Sequence, residues 1–254
     1  MPYIRPFYKS ESSCISYFVC CPGSGVAAVI DPSEETEQYV AAAGSEQCRI
    51  THVIDTHVHS DHVSGARKLV DRLGGRCDLT MAKGADVSFD FVPIDEGQTV
   101  EVGDATLKAI RTPGHTTESM SLLYSDRKRA EEPWGVFTGD AMFVGDVGRL
   151  DLIGHGTLRQ AYESLDRLRS LPDYVEIYPA HYAGSDCASN RNLSFKTSST
   201  VGFEKRRNQM LRWQSFEEFE GLLAKEPLKS PPMWREIKLF NQGRLAQIAA
   251  LGRR

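Results

Sequence analysis

Apolar residues follow two different periods along this chain, and the switches between them predict its elements. Residues 14–20 (CISYFVC) and 26–30 (VAAVI) are short runs rich in β-branched and aromatic side chains. Pro22, Gly23, Ser24 and Gly25 lie between them, which predicts a hairpin. Residues 33–44 (SEETEQYVAAAG) open on Ser33 as N-cap, carry early acids and stop at Gly44, the pattern of a helix. RITHVID (49–55) reads as a buried strand, and SGARKLVDRLGG (64–75) as a second helix closed by glycine. Beyond residue 85, FDFVPI, TVEV, ATLKAIRT, SMSLLYS and WGVFTG form five short strand-like runs. Leu158, Tyr162, Leu165, Leu168 and Leu171 then make a helical stripe, and YVEIYPA (174–180) another strand. From about residue 200 the chain is charged and helical, with a turn at Ser230-Pro231-Pro232. The whole is α/β: two mostly β halves covered by helices.

Composition narrows the class without changing that picture. In 254 residues, 41% are apolar and 25% charged, as in a globular protein. Lys plus Arg number 30 against 34 Asp plus Glu, so the net charge of −4 offers no general attraction to nucleic acid or an anionic membrane. No apolar run approaches the ~20 residues that span a bilayer. The first residues, MPYIRPFYKSESS, lack the apolar core of a leader. The expected location is the cytoplasm. The six cysteines, at 14, 20, 21, 48, 77 and 187, form no C-x-x-C pair and read as small buried residues. Cys187 stands apart because it follows His181 by six positions.

Chemistry concentrates in Thr56-His57-Val58-His59-Ser60-Asp61-His62, which holds three of the seven histidines. The segment follows an apolar strand and precedes a helix. On an extended exit from that strand, His57 and His59 project to one side and can share a metal, while Asp61 and His62 face a neighbouring point. Neutral imidazoles with a carboxylate suit zinc, iron or manganese better than calcium or magnesium. Three further candidates stand just after strand-like runs: His115 in TPGHT, Asp140 in FTGD and His181 in YPAH. Strand ends are rigid supports for ligands. His52, inside a strand, reads as a core residue, and His155, between two glycines, as a loop residue. Lys205-Arg206-Arg207 reads as a solvated helix face.

This order, H-x-H-x-D-H and then His, Asp and His, resembles the metallo-β-lactamase superfamily over most of residues 14 to 184. The resemblance implies an αββα sandwich, residues 1–198, with a C-terminal helical extension, 199–254, packed on it. In dinuclear members His57, His59 and His115 would hold the first metal, Asp61, His62 and His181 the second, and Asp140 would bridge them. Within the superfamily, GDAMFVGDVGRLDL (139–152), Ala183-Gly184-Ser185-Asp186-Cys187 and the S-T-x-G-x-E-x-R-x-N stretch from Ser199 are similar to bacterial persulfide dioxygenases, some of which are fused to rhodanese domains. That likeness implies one Fe(II) per chain on His57, His115 and Asp140, with His59, Asp61, His62 and His181 as supporting groups. It also puts Thr116 and Arg149 near the thiol-substrate cleft. Arg149 could bind an anionic part of the carrier, or form an ion pair with Asp146 or Asp151.

Two activities follow as expectations. One is a non-haem Fe(II) dioxygenase that oxidises the persulfide of a small thiol (glutathione, coenzyme A or bacillithiol type) to sulfite and releases the thiol. The other is a glyoxalase II-type hydrolase with two Zn(II), in which Asp61 is a base or second-metal ligand and a thioester or lactone is cleaved. A metal-bearing sensor module is a third, non-enzymatic possibility. A homodimer is the expected assembly if the chain is not a monomer.

Overall fold

The structure, a computed structural model, describes residues 1–151, 156–183, 186–189, 193–223, 230 and 232–247. Leu152, His155, Gly184, Ser185 and Pro231 of the readings above lie outside the described residues.

Two six-stranded sheets form, each with its strands side by side in chain order. The first holds β1 (Tyr3–Lys9), β2 (Cys14–Cys21), β3 (Val26–Ile30), β4 (Arg49–Ile54), β5 (Asp78–Ala82) and β6 (Val92–Ile94). β1 to β3 are antiparallel, through the expected hairpin, and β3 to β6 are parallel. Parallel neighbours need crossovers, and α1 (Glu37–Ser45) and α2 (Ala66–Arg72) supply two of them. The second sheet holds β7 (Thr99–Val102), β8 (Ala105–Arg111), β9 (Met120–Asp126), β10 (Gly135–Gly139), β11 (Glu176–Pro179) and β12 (Ser199–Thr200). It is antiparallel except for β10 and β11, which α3 (Leu158–Arg169) joins in parallel.

Alternation along β2 shows how the layers arise. Ile15, Tyr17 and Val19 pack between the sheets with Leu107, Leu122 and Phe137. Phe18 and Cys20 face the other way, onto Tyr39 and Ala42 of α1 and Leu69 of α2. Two-residue periodicity puts one set on each face. On the far side of the second sheet, Val136 and Ile177 meet Ala161, Leu165 and Leu168 of α3. The architecture is therefore the αββα sandwich.

The tail contains α4 (Val201–Arg207), α5 (Phe216–Leu222) and α6 (Trp234–Asn241). Residue 199 is the first of β12, and Val201, Met210, Leu211, Trp213 and Phe219 lie in the same core as α3. Chain on both sides of position 198/199 thus shares one sheet and one core.

The structure departs from the sequence reading at three places. β1 and β5 carry no clear pattern of their own. β1 is a half-buried edge strand with Pro6, and β5 is only five residues long. α1 begins at Glu37, not near Ser33. The Ser33 N–H donates to the Tyr39 hydroxyl (2.8 Å), its own hydroxyl accepts from Gln38 (3.0 Å), and the residue bridges to Ser64. Bonds to the Gln38 and Tyr39 side chains of α1 and the bridge to Ser64 take the polar groups a cap would have used. Of FDFVPI, only Val92–Ile94 forms strand.

Trp213 tests how firmly the tail is docked. It is fully buried, donates from its ring nitrogen to the Met210 carbonyl (2.8 Å) and lies under the Arg169 guanidinium, 3.5 Å from the ring centroid. Trp213→Ala should destabilise the protein by ~3–5 kcal/mol in urea unfolding followed by circular dichroism. A change well under 1 kcal/mol would mean that the tail contributes little to the core.

Candidate metal centre

The H-x-H-x-D-H segment is the loop between β4 and α2, and the rest of the chain fixes its shape. The Thr56 N–H donates to Asp31 Oδ1 (2.7 Å), and the Val58 N–H to Glu118 Oε1 (3.0 Å). From α6, Asn241 Nδ2 donates to the carbonyls of His59 and His62 (2.9 Å each), while its Oδ1 accepts from the Ser64 N–H (3.0 Å). These anchors hold buried backbone groups that no helix or strand pairs.

His57, His115 and Asp140 converge, each with one ligand atom within 4.8 Å of the others. His57 Nε2 is 3.8 Å and His115 Nε2 3.5 Å from Asp140 Oδ2. His57 Nε2 and Asp140 Oδ2 are buried without a hydrogen-bond partner, a costly arrangement that a cation would relieve. The outer nitrogens fix the tautomers. His115 Nδ1 faces the Arg149 carbonyl (3.1 Å), which can only accept, so Nδ1 carries the proton and Nε2 presents its lone pair. His57 Nδ1 meets the Thr56 hydroxyl (3.0 Å), which in turn donates to Asp31 Oδ2 (2.9 Å). Burial holds both imidazoles below the usual histidine range, joined for His57 by its neighbour His59. Burial raises the Asp140 carboxyl, but His181, His57 and His115 outweigh it and keep it ionised. Two neutral imidazoles and a carboxylate on one side suit a cation such as iron.

A second set lies beside the first. Asp61, His62 and His181 gather with Cys14. His181 is paired at both nitrogens: Nδ1 to Asp140 Oδ1 and Nε2 to Asp61 Oδ2, 2.8 Å each. His62 Nδ1 faces Asp61 Oδ1 at 3.0 Å. Burial lowers the two imidazoles, yet Asp140, Cys14 and Asp61 hold His181, and Cys14 and Asp61 hold His62, well above the usual range. Burial raises the Cys14 thiol, and His62 and His181 overcome that and bring it to about 6.

His59 joins neither set. Its Nε2 points to Asp31 Oδ1 (3.3 Å) and Asp55 Oδ1 (3.9 Å), while Nδ1 is buried without a partner. Asp31, Asp55 and His59 form a cluster of their own. Burial raises the Asp55 carboxyl to about 6.

Arg149 lies 1% exposed behind the site, with Nε and Nη2 on the Asp151 carboxylate (2.7 Å each) and Nη1 on the Asp186 carbonyl (2.9 Å). Its guanidinium thus forms the ion pair with Asp151 that one of the two readings expects. Through its carbonyl it orients His115. The Thr116 hydroxyl is paired with Ser119 Oγ (2.7 Å) inside the turn that carries His115. His52 sits beside Thr51 and Asp78, away from both sets. Lys205 and Arg206 pair with Asp173 on the surface. Cys187 brings its thiol within 4.8 Å of ligand atoms of Asp140 and His181. Sequence reasoning misses Cys14, Asp31, Glu118 and Asn241. Only Asp31 leaves a trace, as the acid ending a buried strand opposite a second strand that also ends in acid, Asp55.

Residues 11–181, which include all seven expected ligands, match the family described as the metallo-beta-lactamase superfamily. The chain belongs to that superfamily. Its buried histidine, aspartate and cysteine clusters make it a metal-dependent enzyme of the family. A metallo-beta-lactamase from Staphylococcus aureus subsp. aureus COL superposes with a TM-score of 0.84 at 31% identity, over 95% of this chain and 72% of that one. ETHE1 from Myxococcus xanthus gives 0.81 at 29% identity, over 95% and 99%. A hydroxyacylglutathione hydrolase of Rhodopseudomonas palustris (strain ATCC BAA-98 / CGA009) is 33% identical over 165 residues, 65% of this chain and 61% of that enzyme. No helix among the described residues is long and apolar enough to cross a membrane.

Protonation separates the two sets. His57 and His115 are neutral at pH 7, so a cation binds them without displacing protons. His62 and His181 are raised and protonated, so a cation there must release protons and binds more tightly as pH rises. Calorimetric titration of the metal-free protein in two buffers of different ionisation enthalpy should show one ion bound with little proton release. A second should bind with release and strengthen between about pH 6 and 8. Equal release from both would contradict the assignment.

Asn241→Ala removes three hydrogen bonds from the metal loop and should lower stability by ~1–3 kcal/mol. Metal dissociation, followed with a chelator, should speed up in the same variant.

Proposed function

We propose that the chain is a mononuclear non-haem Fe(II) dioxygenase that oxidises the terminal sulfur of a small-molecule persulfide to sulfite and frees the carrier thiol. The observation that supports this reading most is the set His57, His115 and Asp140, which converges without His59. Two imidazoles and one carboxylate on one face leave the other positions for substrate sulfur and O₂. The motif stretches similar to bacterial persulfide dioxygenases add support, and the likeness to ETHE1 from Myxococcus xanthus extends over nearly the whole of both chains.

When bound, the iron supplies the oxygen chemistry. The chain's own residues bind and orient. Asp31 and Thr56 hold His57, the Arg149 carbonyl holds His115, and His181 fixes Asp140 through Oδ1 so that Oδ2 is presented. Burial of all three ligands limits access of bulk water, which protects a reactive sulfur species from side reactions. A glutathione-type carrier is the first choice, because a relative named for a glutathione thioester is 33% identical.

The same relative, together with Asp61, His62 and His181 beside Asp140, supports a second reading, a dinuclear hydrolase. One comparison separates the two. Protein reconstituted with Fe(II) should consume O₂ and form sulfite only when glutathione persulfide is added. His57→Ala, His115→Ala and Asp140→Ala should each lose iron and at least ~100-fold of the rate, and His59→Ala should retain iron with a ~10–100-fold loss. Cleavage of a glutathione thioester under nitrogen by zinc-loaded protein, with no persulfide-dependent O₂ uptake, would replace this reading by the hydrolase.

A further inference from the structure

We propose that Cys14, Asp61, His62 and His181 form a closed four-ligand site for a zinc-type ion beside the iron-type set, so that the protein holds two different metals. The superfamily resemblance provides three of these residues as ligands of a second metal. Cys14 is what this chain adds, and it changes the site from an open one to a closed one.

The argument rests on placement. Cys14 is the first residue of β2 and makes an isolated antiparallel bridge with His181. The Ile15 N–H donates to the Ala180 carbonyl (2.7 Å), and the Tyr182 N–H to the Ser13 carbonyl (3.2 Å). The first sheet is thus stitched to the chain just beyond β11, and the thiol is held against the imidazole by backbone rather than by chance of rotamer. Its Sγ lies 3.3 Å from His181 Nε2, 3.5 Å from His62 Nδ1 and 3.8 Å from Asp61 Oδ2. Bonds of ~2.0–2.3 Å in a tetrahedral zinc site give ligand–ligand edges of roughly 3.3–3.6 Å. The two sulfur–imidazole edges fall within that range as they stand, and the sulfur–carboxylate edge of 3.8 Å closes by a few tenths of an ångström. The Asp61–His181 contact, 2.8 Å as a hydrogen bond, opens by about half an ångström when an ion replaces the proton between them.

The supporting bonds also fit. A metal-ligating histidine usually gives its other N–H to a carboxylate, and His181 Nδ1 meets Asp140 Oδ1 at 2.8 Å. With that oxygen engaged, Asp140 serves the iron-type set through Oδ2 instead of bridging two ions. Thiolate and carboxylate balance a divalent charge, and a thiolate with two imidazoles favours zinc over iron(II) or manganese(II). Four protein ligands leave no position for a nucleophilic water. The ion at this site therefore fixes His181, and through it Asp140, rather than activating a hydroxide. The inference goes beyond the persulfide reading and is tested by metal content and spectrum, not by turnover.

The experiment is a cobalt(II) titration of the full, metal-free chain. The expected result is two ions per chain, with a thiolate-to-cobalt charge-transfer band in the near ultraviolet that saturates at one ion. Cys14→Ser should abolish the band and weaken binding of that ion by at least ~100-fold, with the other ion retained. Cys187→Ser should leave the band in place. Protein expressed with both iron and zinc available should carry zinc that is lost in Cys14→Ser, with iron unchanged. A folded wild-type protein without the band overturns the proposal, as does a band that survives Cys14→Ser. If Cys14→Ser fails to fold, the pair of wild type and Cys187→Ser decides it: a band in both supports Cys14, and a band lost with Cys187 overturns it.

Discussion

His181 is enclosed by carboxylates, with Asp140 at one ring nitrogen and Asp61 at the other, and it has no exposure to solvent. Asp61 comes from the loop after β4 in the first sheet, and Asp140 from the end of β10 in the second. A buried charge is tolerated only when it is paired and hydrogen-bonded. The two sheets must therefore meet in one register at this seam. The backbone bridge from Cys14 to His181 closes the same seam from a third direction. Both ligand sets, and the separation between them, depend on this arrangement.

The sandwich makes the arrangement affordable by putting its irregular backbone at strand ends. Gly139 adopts φ +51°, and a Cβ there would stand 2.6 Å from the Thr56 hydroxyl. At Gly148 a Cβ would meet the Asp140 carbonyl at 1.9 Å. These glycines let the ligand-bearing segments approach more closely than side chains allow. They flank Asp140 in the sequence because that is where the second sheet must press against the metal loop. The motif thus records packing as well as chemistry.

Support from outside the ligand loops is equally specific. Arg149 ties Asp151 and the chain at Asp186 together while offering its carbonyl to His115. Asn241, from the last described helix, clamps two carbonyls of the H-x-H-x-D-H loop. A site held by such groups keeps its ligand geometry before a metal arrives, which lowers the reorganisation needed to bind one. The neutral pair His57 and His115 and the protonated pair His62 and His181 arise from this scaffold: the first faces one carboxylate, the second is surrounded by two and a thiol.

The sequence by itself determined the layers, the hairpin of β2 and β3, the helix of α3 and the seven ligand-type residues, because periodicity and spacing are local properties that each segment carries alone. It also determined that the ligands stand at strand ends. Only the tertiary structure decided how those residues divide. His59 turned to Asp31 and Asp55, Arg149 became an ion-pair partner of Asp151, and Cys14, indistinguishable in sequence from Cys20 and Cys21, came to lie against His181. Ser33 similarly gave up its expected capping role to Tyr39 and Ser64. Most of these outcomes depend on a partner tens of residues away, as Cys14 with His181, His59 with Asp31 and Ser33 with Ser64, and the Arg149 pair on which of two nearby acids its buried side chain reaches. The local pattern does not choose among such partners; the choice is set by which buried polar groups must be satisfied once the sheets have met.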